Sequence, residues 1–436
     1  MSINKTKKFK LIAWLICTLG AVFYAYEYFL RISPSVMEPQ LRNQFNLSAS
    51  GFGFLSAFYY YAYVPMQLPV GVLMDRYGPR RLLTIACLMC VLGTFLFAGT
   101  TVFSIAALGR FLVGFGSAFA FVGVLKLVTI WLPEDKLAMV AGMAAALGTI
   151  GAMIGDNILG FMVYGIGWQP TVYITGFVGV ALTFVLWYGI KDQKSYHRKH
   201  SAVDSLKQNF IDLGIIVKNK QIWINGFYGC LVYLPTTVFA ELWGIPYLRH
   251  AHGLTETNAH FANSLLFLGF TIGAPLMGFI SDKIHRRKPP MIIGATGAAV
   301  VMMCILYIPF QNYYIFYGLM VLLGMLYSSQ CIIFAVGREL SPKKAAGTAI
   351  AMTNMIVMFG AMVLQPLVGG LLDWSSKSNV AGLPLASIPV DKMSQFYRAE
   401  DYQFAMSVIP LGILIAAVLA LFLRETYATT DANDRS

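Results

Sequence analysis

Long apolar runs alternate with short charged or turn-rich segments along the whole chain. A helix needs about 20 mainly apolar residues to cross the roughly 30 Å of hydrocarbon in a bilayer, and each run reaches about that length. The pattern therefore predicts an all-α integral membrane protein with twelve transmembrane helices, which we call spans 1 to 12. Their predicted limits are residues 10–32, 50–74, 81–101, 103–131, 137–164, 168–190, 221–249, 257–281, 289–309, 312–338, 345–373 and 401–424.

Two charged hairpins occupy corresponding positions in the two halves of the chain. In both, an aspartate follows a glycine by four positions and a basic residue follows the aspartate. These residues are Gly71, Asp75 and Arg76 in the first hairpin and Gly278, Asp282 and Lys283 in the second. The repetition predicts two pseudo-symmetric six-helix bundles. We expect an N-terminal bundle at 1–190, a polar cytoplasmic linker at 191–220 and a C-terminal bundle at 221–436.

The composition excludes a soluble globular protein. Of the residues, 57% are hydrophobic and 12% are charged, and such a chain cannot keep its apolar surface away from water. The net charge of +12 is compatible with a nucleic-acid partner, but most lysines and arginines fall in the segments on one side of the membrane. This positive-inside pattern predicts that both termini are cytoplasmic in a bacterial inner membrane. It leaves no basic surface for nucleic acid.

Cysteine and histidine positions give no indication of a disulfide or metal site. All six cysteines fall inside predicted spans, where they behave as small apolar residues. His250, His252 and His260 lie close together in sequence, but no carboxylate completes an obvious metal site. The chain also lacks His-Glu-x-x-His, Gly-x-Ser-x-Gly and phosphate-binding glycine-rich patterns. We therefore expect no metal, no cofactor and no enzymatic activity.

Span 1 carries an unusual set of polar side chains. Tyr24, Glu27, Tyr28 and Arg31 follow one another at spacings of three and four, so they share one helix face. Each charge costs about 2.5 to 3.5 kcal/mol at a bilayer centre unless it is paired or wetted. Two interpretations stay open for Glu27 and Arg31, a structural ion pair or a binding site for substrate or protons.

Spans 2 and 4 add further polar groups near the middle of the membrane. Tyr59 lies in a tyrosine-rich stretch of span 2, where it either lines a cavity or packs against protein. Arg110 lies deep in span 4, and Lys126 lies near the inner end of the same span. The two cations point about 160° apart around the helix, so they cannot face the same central site. Lys126 either has a function or snorkels to the interface.

The remaining candidates lie in spans 5, 7 and 11. Asp156 lies on a glycine-rich ridge of span 5, which together with Gly269 and Gly273 of span 8 predicts a seam between the two halves. Asp156 either carries protons or bonds to polar or basic neighbours. Glu241 in span 7 lies at a depth similar to that of Glu27, and Asn354 in span 11 lines the cavity or joins helices.

Taken together, these motifs resemble the major facilitator superfamily over essentially the whole chain. The segment from Gly71 to Arg81 matches the family signature between spans 2 and 3, and the segment from Gly278 to Arg287 is its weaker echo. Arg110 with Gly114 matches the span 4 motif. The resemblance implies a central site and rocking of the bundles between inward-open and outward-open states. It also implies a cytoplasmic conformational switch that contains Gly71, Asp75, Arg76, Arg80, Gly278 and Asp282.

A nearer resemblance is to permeases for organic anions and sugar phosphates. It rests on the stretch from Arg31 to Pro79, on the Trp131-Leu132-Pro133 turn and on Gly167-Trp168. The chain departs from that group at Leu30 and Ser117, where many or some of those symporters have an acid. Proton coupling would therefore use Glu27, Asp156 or Glu241. The glycine-proline pair found in span 5 of many antiporters is also missing, because Asp156 follows Gly155, and this favours symport.

We therefore expect an alternating-access secondary transporter for a small polar organic solute, an organic anion, moved together with protons. Candidate substrate contacts are Tyr24, Arg31, Tyr59, Arg110 and Asn354, and candidate proton sites are Glu27, Asp156 and Glu241. The expected partners are the solute, protons and the lipid bilayer, and we expect a monomer. The sequence leaves open a carboxylate siderophore or a peptide-like zwitterion as cargo, and a transporter-like solute sensor as a different class of protein.

Overall fold

The computed structural model describes residues 3–133, 137–191, 211, 213–309, 312–342, 345–380 and 397–427. Within these residues the chain is helical almost throughout and contains no strand. The first six spans are Ile3–Val36, Ala49–Met66 with Pro69–Tyr77, Pro79–Ala98, Phe103–Trp131, Leu137–Ile166 and Trp168–Gly189. A short helix, Glu38–Phe45, connects spans 1 and 2.

The second six spans include three that are not continuous α-helices. Span 7 consists of Lys220–Val232, a π-helical segment at Pro235–Trp243, and Gly244–His252. Span 10 consists of Tyr313–Tyr327, a 3₁₀ turn at Ser328–Cys331, and Ile332–Glu339. Span 12 consists of Ala399–Met406 and Val408–Phe422. Spans 8, 9 and 11 are Glu256–Lys283, Lys288–Tyr307 and Ala346–Ser376, and a 3₁₀ turn at Lys377–Val380 follows span 11.

Eleven of these spans are long and apolar enough, by length and composition, to cross a membrane. Span 2 does not qualify because its tyrosines and serines reduce its hydrophobicity. It is also divided, since the predicted single run at 50–74 breaks at Gln67 and Leu68. Pro69 begins the second piece, and proline cannot donate the backbone hydrogen bond that would continue the first. The all-α membrane fold with twelve helical spans is confirmed.

The spans begin and end where the local sequence supplies a cap or a turn. Ser48 accepts a hydrogen bond from the Gly51 backbone N–H and so caps span 2. Gly78, between spans 2 and 3, has a φ of 80°. Glycine adopts this conformation readily because it has no Cβ, whereas other residues disfavour it. Pro79 then opens span 3, where its missing N–H has no cost.

An even number of crossings places both termini on one side, which we call the termini side, and the opposite side is the far side. Each half packs within itself, and the halves meet where span 2 contacts span 11, span 5 contacts span 8 and span 1 contacts span 7. The predicted bundle limits stay a prediction. Much of the predicted linker, residues 192–210 and 212, lies outside the described part of the chain.

Spans 5 and 8 do meet at the seam between the halves, but most of the ridge glycines do not make that contact. Gly151 and Gly155 of span 5 pack against span 1, and Gly269 and Gly273 of span 8 pack against span 10, all within their own halves. The contacts between spans 5 and 8 include Gly160 against His260 and the Thr149 and Thr271 hydroxyls at 2.7 Å. Glycines allow close approach of any neighbouring helix, and the spacing alone does not specify which one.

Backbone contact closes the far side between spans 2 and 11. A Cβ added to Gly369 would lie 2.4 Å from the Ala49 carbonyl oxygen, and one added to Gly53 would lie 2.6 Å from the Gln365 carbonyl oxygen. Toward the termini side, a Cβ added to Gly142 of span 5 or to Gly278 of span 8 would meet nothing within 4 Å. The two halves are therefore interlocked on the far side.

We expect Gly369→Ala to slow transport by about tenfold or more, because overpacking typically costs about 1 to 3 kcal/mol and here the clash is with backbone. Gly370→Ala is the matched control, since a Cβ at Gly370 meets nothing within 4 Å. The measurement is solute uptake by both variants in proteoliposomes. Equal rates for Gly369→Ala and Gly370→Ala would contradict the importance of this contact for closing the far side.

Candidate functional site

A buried polar triangle joins spans 1 and 2. The Arg31 guanidinium donates from Nη2 to Glu27 Oε1 at 3.0 Å and to Oε2 at 3.3 Å, and from Nε to the Tyr59 hydroxyl at 3.0 Å. Tyr59 in turn donates to Glu27 Oε2 at 3.0 Å. The i,i+4 spacing in span 1 makes the first pair possible, and the depth of span 2 supplies the phenol. The three predicted residues are thus one hydrogen-bonded unit.

This unit extends across the seam to Glu241 of span 7. Arg31 Nη1 lies 3.8 Å from Glu241 Oε1, and the Tyr60 hydroxyl donates to Glu241 Oε2. The hydroxyls of Tyr28 and Tyr233 lie 3.3 Å apart and also join the halves. Glu241 belongs to the π-helical segment, and such interruptions occur frequently at functional sites because they change the direction of side chains.

Tyrosine rings surround the Arg31 guanidinium. Its Cζ lies 4.4 Å from the ring centroid of Tyr28, 5.0 Å from that of Tyr63 and 5.4 Å from that of Tyr59. Aromatic faces attract cations, and the attraction is stronger where water is excluded. Arg31 is 2% exposed, so it is held by one bidentate carboxylate, one distant carboxylate and three rings rather than by water.

Arg110 is held differently, because its hydrogen bonds within the described chain all go to backbone carbonyl groups. It donates from Nη1 to the Leu30 oxygen at 2.9 Å and from Nη2 to the Arg31 oxygen at 3.3 Å. Pro34 has no N–H, so the Leu30 carbonyl lacks its usual helical donor and is free to accept. Arg110 is 2% exposed, its Nε has no hydrogen-bond partner, and within the described residues no carboxylate lies within ion-pair distance of it.

The C-terminal half supplies a wall of hydroxyl groups next to Tyr233. Thr236 donates to the Tyr327 hydroxyl at 2.7 Å, and the rings of Tyr233 and Tyr327 lie 6.1 Å apart. The 3₁₀ turn in span 10 follows Tyr327 directly and buries Gln330. The interrupted span 10 therefore packs against the interrupted span 7, and span 7 meets the continuous helix of span 1. This arrangement resembles the use of discontinuous helices at transporter sites.

The other predicted site residues make no hydrogen bond to Arg31, Glu27 or Glu241 within the described chain, although the Tyr24 ring lies 6.1 Å from that of Tyr28. Tyr24 packs against Phe121, with ring centroids 5.2 Å apart, and its hydroxyl takes part in no hydrogen bond within the described chain. Asn354 donates to Gln67 at 2.8 Å and joins spans 11 and 2. Asp156 accepts a hydrogen bond from Asn263 at 2.7 Å across the seam. The functional roles of all these residues stay predictions.

Several residues of the network were not predicted. Tyr28 was placed on the polar face of span 1 but was not chosen as a site residue, and Tyr60 follows Tyr59 in the same tyrosine-rich stretch. Tyr233 and Asn263 carry no such signal, because their importance depends on how the two halves are aligned. Asp373 is the clearest omission, and it lies at the far-side end of span 11.

Asp373 caps the beginning of span 2 from the opposite half. Its carboxylate accepts hydrogen bonds from the Ala49 N–H at 3.0 Å and the Ser50 N–H at 2.8 Å. A negative charge is favourable at a helix N-terminus because of the exposed donors and the helix dipole. The Tyr397 hydroxyl donates to the same carboxylate at 2.6 Å, and burial raises the pKa of Tyr397 above its ordinary value, so the phenol stays a donor.

The two hairpins contain ion pairs that stay within their own halves. Asp75 pairs with Lys126 of span 4, so Lys126 has a partner rather than only snorkelling. In the second hairpin, Arg287 binds Asp282 at 2.6 Å and Glu339 at 2.7 Å. Partial burial opposes its charge, but these hydrogen bonds raise the pKa of Arg287 above its ordinary value.

The other predicted members of the switch have local contacts or open surroundings. Arg80 donates to the Trp187 carbonyl at 2.9 Å and lies 4.4 Å from its ring centroid. Arg76 lies over the ring of Tyr77 at 5.0 Å. A Cβ at Gly71 would meet nothing within 4 Å. Their role in a conformational switch stays a prediction.

Two surface grooves lie away from the central cluster. The grooves have volumes of about 690 and 720 Å³ and are lined by residues around Arg286 and around Tyr314. Within the described residues, no group of three histidine, cysteine, aspartate or glutamate side chains is placed to hold a metal ion.

Comparison with known proteins agrees with this architecture. The model of the Major Facilitator Superfamily matches residues 16–244 and 231–435. The chain belongs to this superfamily. It is 23% identical to the probable galactarate/D-glucarate transporter GudP of Escherichia coli (strain K12), covering 84% of this chain and 88% of that protein. It is 23% identical to a probable hexose phosphate transport protein of Chlamydia pneumoniae, covering 88% and 90%.

The fold agrees with a solved structure as well. A crystal structure of a bacterial homologue of the human lysosomal transporter Spinster, inward-facing and unoccupied, aligns with a TM-score of 0.77 and 16% identity over 94% of this chain and 97% of that chain. The superfamily member described here is a multi-pass membrane transporter, not an enzyme, and it is related to organic-anion and sugar-phosphate permeases.

We expect Tyr60→Phe to slow transport by about tenfold, because losing a hydrogen bond to a charged group costs about 1.5 to 3 kcal/mol. Tyr61→Phe is the matched control, since the Tyr61 hydroxyl has no hydrogen bond within the described chain. Uptake rates and thermal unfolding midpoints of both variants are the measurements. If Tyr60→Phe behaves like Tyr61→Phe in both, the bond to Glu241 does not contribute to function.

We expect Asp75→Asn to slow transport several-fold while solute affinity stays within a few-fold of the original, because the Asp75–Lys126 pair lies outside the central cluster. The measurements are uptake rate and equilibrium binding. Adding Lys126→Gln should restore part of the rate, since it removes the charge left unpaired. A large loss of affinity with normal uptake kinetics would contradict a role in switching.

Proposed function

We propose that this transporter moves a small organic anion together with protons. The observation that carries the proposal is the buried Arg110 guanidinium, which has carbonyl partners but no carboxylate. A buried guanidinium with no carboxylate in direct contact is incompletely paired, so it can form an ion pair with an anionic ligand. Arg31 lies next to it, and the Arg110 Cζ lies over the Tyr59 ring at 5.3 Å.

The charge balance of the cluster explains why protons accompany the anion. Arg31 and Arg110 carry two positive charges, and Glu27 and Glu241 carry two negative charges when both are ionised. Entry of a monovalent anion leaves one excess negative charge in a site of low dielectric, and protonation of one glutamate removes it. A divalent anion requires protonation of both. Empty and loaded sites then have the same net charge, which allows both to reorient across the membrane.

The contacts of Arg31 suggest a different role for each glutamate when the anion binds and a proton is taken up. Its bidentate bond to Glu27 lies within span 1, whereas the 3.8 Å contact with Glu241 crosses the seam. Protonation of Glu241 weakens the attraction between the halves, and protonation of Glu27 releases Arg31 to bind the anion. We assign substrate contact to Arg31, Tyr59 and Arg110 on this basis. Tyr24 and Asn354 stay peripheral candidates.

The side of access follows from the interlocked far side. With Asp373 capping span 2 and Gly369 against Ala49, the far side is closed. We propose that both termini are cytoplasmic in a bacterial inner membrane, so that this state opens inward. Rocking would break the Asp373 contacts and open the outward path.

The named relatives support an anionic cargo, since the names of two of them refer to galactarate/D-glucarate and hexose phosphate. A carboxylate siderophore or a peptide-like zwitterion would also bind paired cations and carboxylates. A solute sensor would bind the same anions without moving them. Binding without flux is therefore the result that favours the sensor.

The direct experiment is uptake into proteoliposomes with an imposed pH gradient, with D-glucarate and glucose 6-phosphate as labelled probes. We expect accumulation of at least one probe that a protonophore abolishes. Arg110→Gln should abolish binding of the transported probe, and Arg110→Lys should retain part of that binding because the positive charge remains. Glu27→Gln with Glu241→Gln should uncouple accumulation from the pH gradient.

Two outcomes would contradict the proposal. Accumulation that is unchanged after both glutamates are neutralised would exclude them as proton sites. Tight binding of an anionic probe by Arg110→Gln would exclude that guanidinium as the anion contact.

A further inference from the structure

Asp156 is a buried carboxyl group that the central cluster does not use. It lies in span 5 with an exposed fraction of 0%, and its Oδ2 accepts one hydrogen bond, from Asn263 Nδ2 of span 8 at 2.7 Å. Its Oδ1 has no partner. No lysine, arginine or histidine among the described residues lies within ion-pair distance. A carboxylate in such surroundings would be an uncompensated buried charge.

The elements packed around Asp156 supply no counter-charge. Span 1 presents Phe29 and Ile32 to the neighbouring Gly155, and span 6 contains no charged residue. The two cations of span 4, Arg110 and Lys126, are bound elsewhere.

The titratable groups on the opposite half are His260 and Glu256 of span 8 and Glu241 of span 7. His260 packs over Gly160 across the seam, and its Nε2 lies 3.9 Å from Glu256 Oε1. These contacts close the seam between spans 5 and 8 one turn beyond Asp156, so water reaches the carboxyl group only when this seam opens.

We propose that Asp156 is a proton-binding site of the far-side gate, protonated while the halves are closed and ionised when they separate. The protonated group fits the closed seam because it carries no charge, and Asn263 satisfies one of its oxygens. Opening exposes the carboxyl group to water, which stabilises the ionised form. The site takes a proton and no other ligand, and it is separate from the anion site.

Asn263 connects this gate to the central cluster. The same Nδ2 group also donates to the Ala240 carbonyl at 2.9 Å, in the π-helical segment and directly before Glu241. The side chain of Asn263 thus bridges span 5 of one half and the Glu241 segment of the other. A change in the protonation of Asp156 alters what this amide can bind, and the amide also holds the backbone next to Glu241, so one residue links the gate to the cargo site.

The proposal has a thermodynamic signature that does not depend on the cargo. If the closed state binds one more proton than the open state, low pH favours closure. The ratio of closed to open molecules then falls about tenfold per pH unit for that proton, over the range in which the exposed group is ionised and the buried one is not. Asp156→Asn keeps the amide contact and the size but removes this proton.

The test is the distance distribution between spin labels at Tyr164→Cys and Tyr314→Cys, which are exposed far-side positions in opposite halves, measured without substrate as a function of pH. Cys304 and Cys331 are replaced by serine, because the other four cysteines are buried. We expect the original protein to shift from closed to open as pH rises, and Asp156→Asn to show a pH dependence that is smaller by one proton. Asn157→Ser is the matched control, since Asn157 is exposed and bonds only within its helix.

An unchanged pH dependence in Asp156→Asn would overturn the proposal. Infrared difference spectra of the purified protein provide a second readout, since a protonated carboxyl band should disappear in Asp156→Asn and persist in Asn157→Ser. Persistence of the full band in Asp156→Asn would equally overturn it. Loss of substrate uptake in the Arg110 variants, by contrast, bears only on the anion site.

Discussion

The central constraint on this structure is that the Arg31 charge is buried and must be compensated from both halves. Glu27 supplies a bidentate partner within span 1, and Glu241 supplies a second carboxylate at 3.8 Å from across the seam. Removing a charge from water costs several kcal/mol even after relaxation, so the cluster stays closed only while its charges are balanced. The packing of tyrosines around Arg31 follows from the same need, because ring faces replace part of the lost hydration.

Closure of the far side depends on contacts of a different kind. Gly369 and Gly53 allow backbone to meet backbone, and Asp373 caps a helix of the opposite half. These contacts are numerous but short-range, and they are lost together when the halves separate. The closed state therefore requires balanced charges around Arg31 at the centre and close backbone packing between the halves at the far side. Packed interfaces of this kind have two stable arrangements rather than a continuous range.

Much of the fold could be predicted from the sequence because membrane spans are a local property. Apolar runs and the hairpins between them depend on residues close together in the chain. The Glu27–Arg31 pair could be predicted for the same reason, since both residues lie on one helix face. The division of span 2 at Gln67 was missed because a continuous run of apolar and aromatic residues hid the effect of Pro69.

The partners across the seam could not be predicted, because they depend on how two helices from different halves are aligned. The glycine ridge of span 5 illustrates this point. Its small residues correctly indicated close approach, but Gly151 and Gly155 meet span 1, and of the ridge glycines only Gly160 is seen to meet span 8 within the described residues. Asp373 and Asn263 have no local signature, and only the alignment of the halves brings them to the Ala49 N–H and to Asp156.

The π-helical segment of span 7 explains how the cargo site and the far-side gate are linked. A regular α-helix would satisfy the carbonyl groups of span 7 along its axis, whereas here the Ala240 carbonyl also accepts from the Asn263 side chain. The next residue, Glu241, contacts Arg31 and Tyr60 of the opposite half. Two adjacent residues thus contact the gate and the cargo site. A small rearrangement of this one helical turn would therefore change the contacts at both. π-Helical interruptions of this kind occur frequently at functional sites, and both Ala240 and Glu241 lie within one.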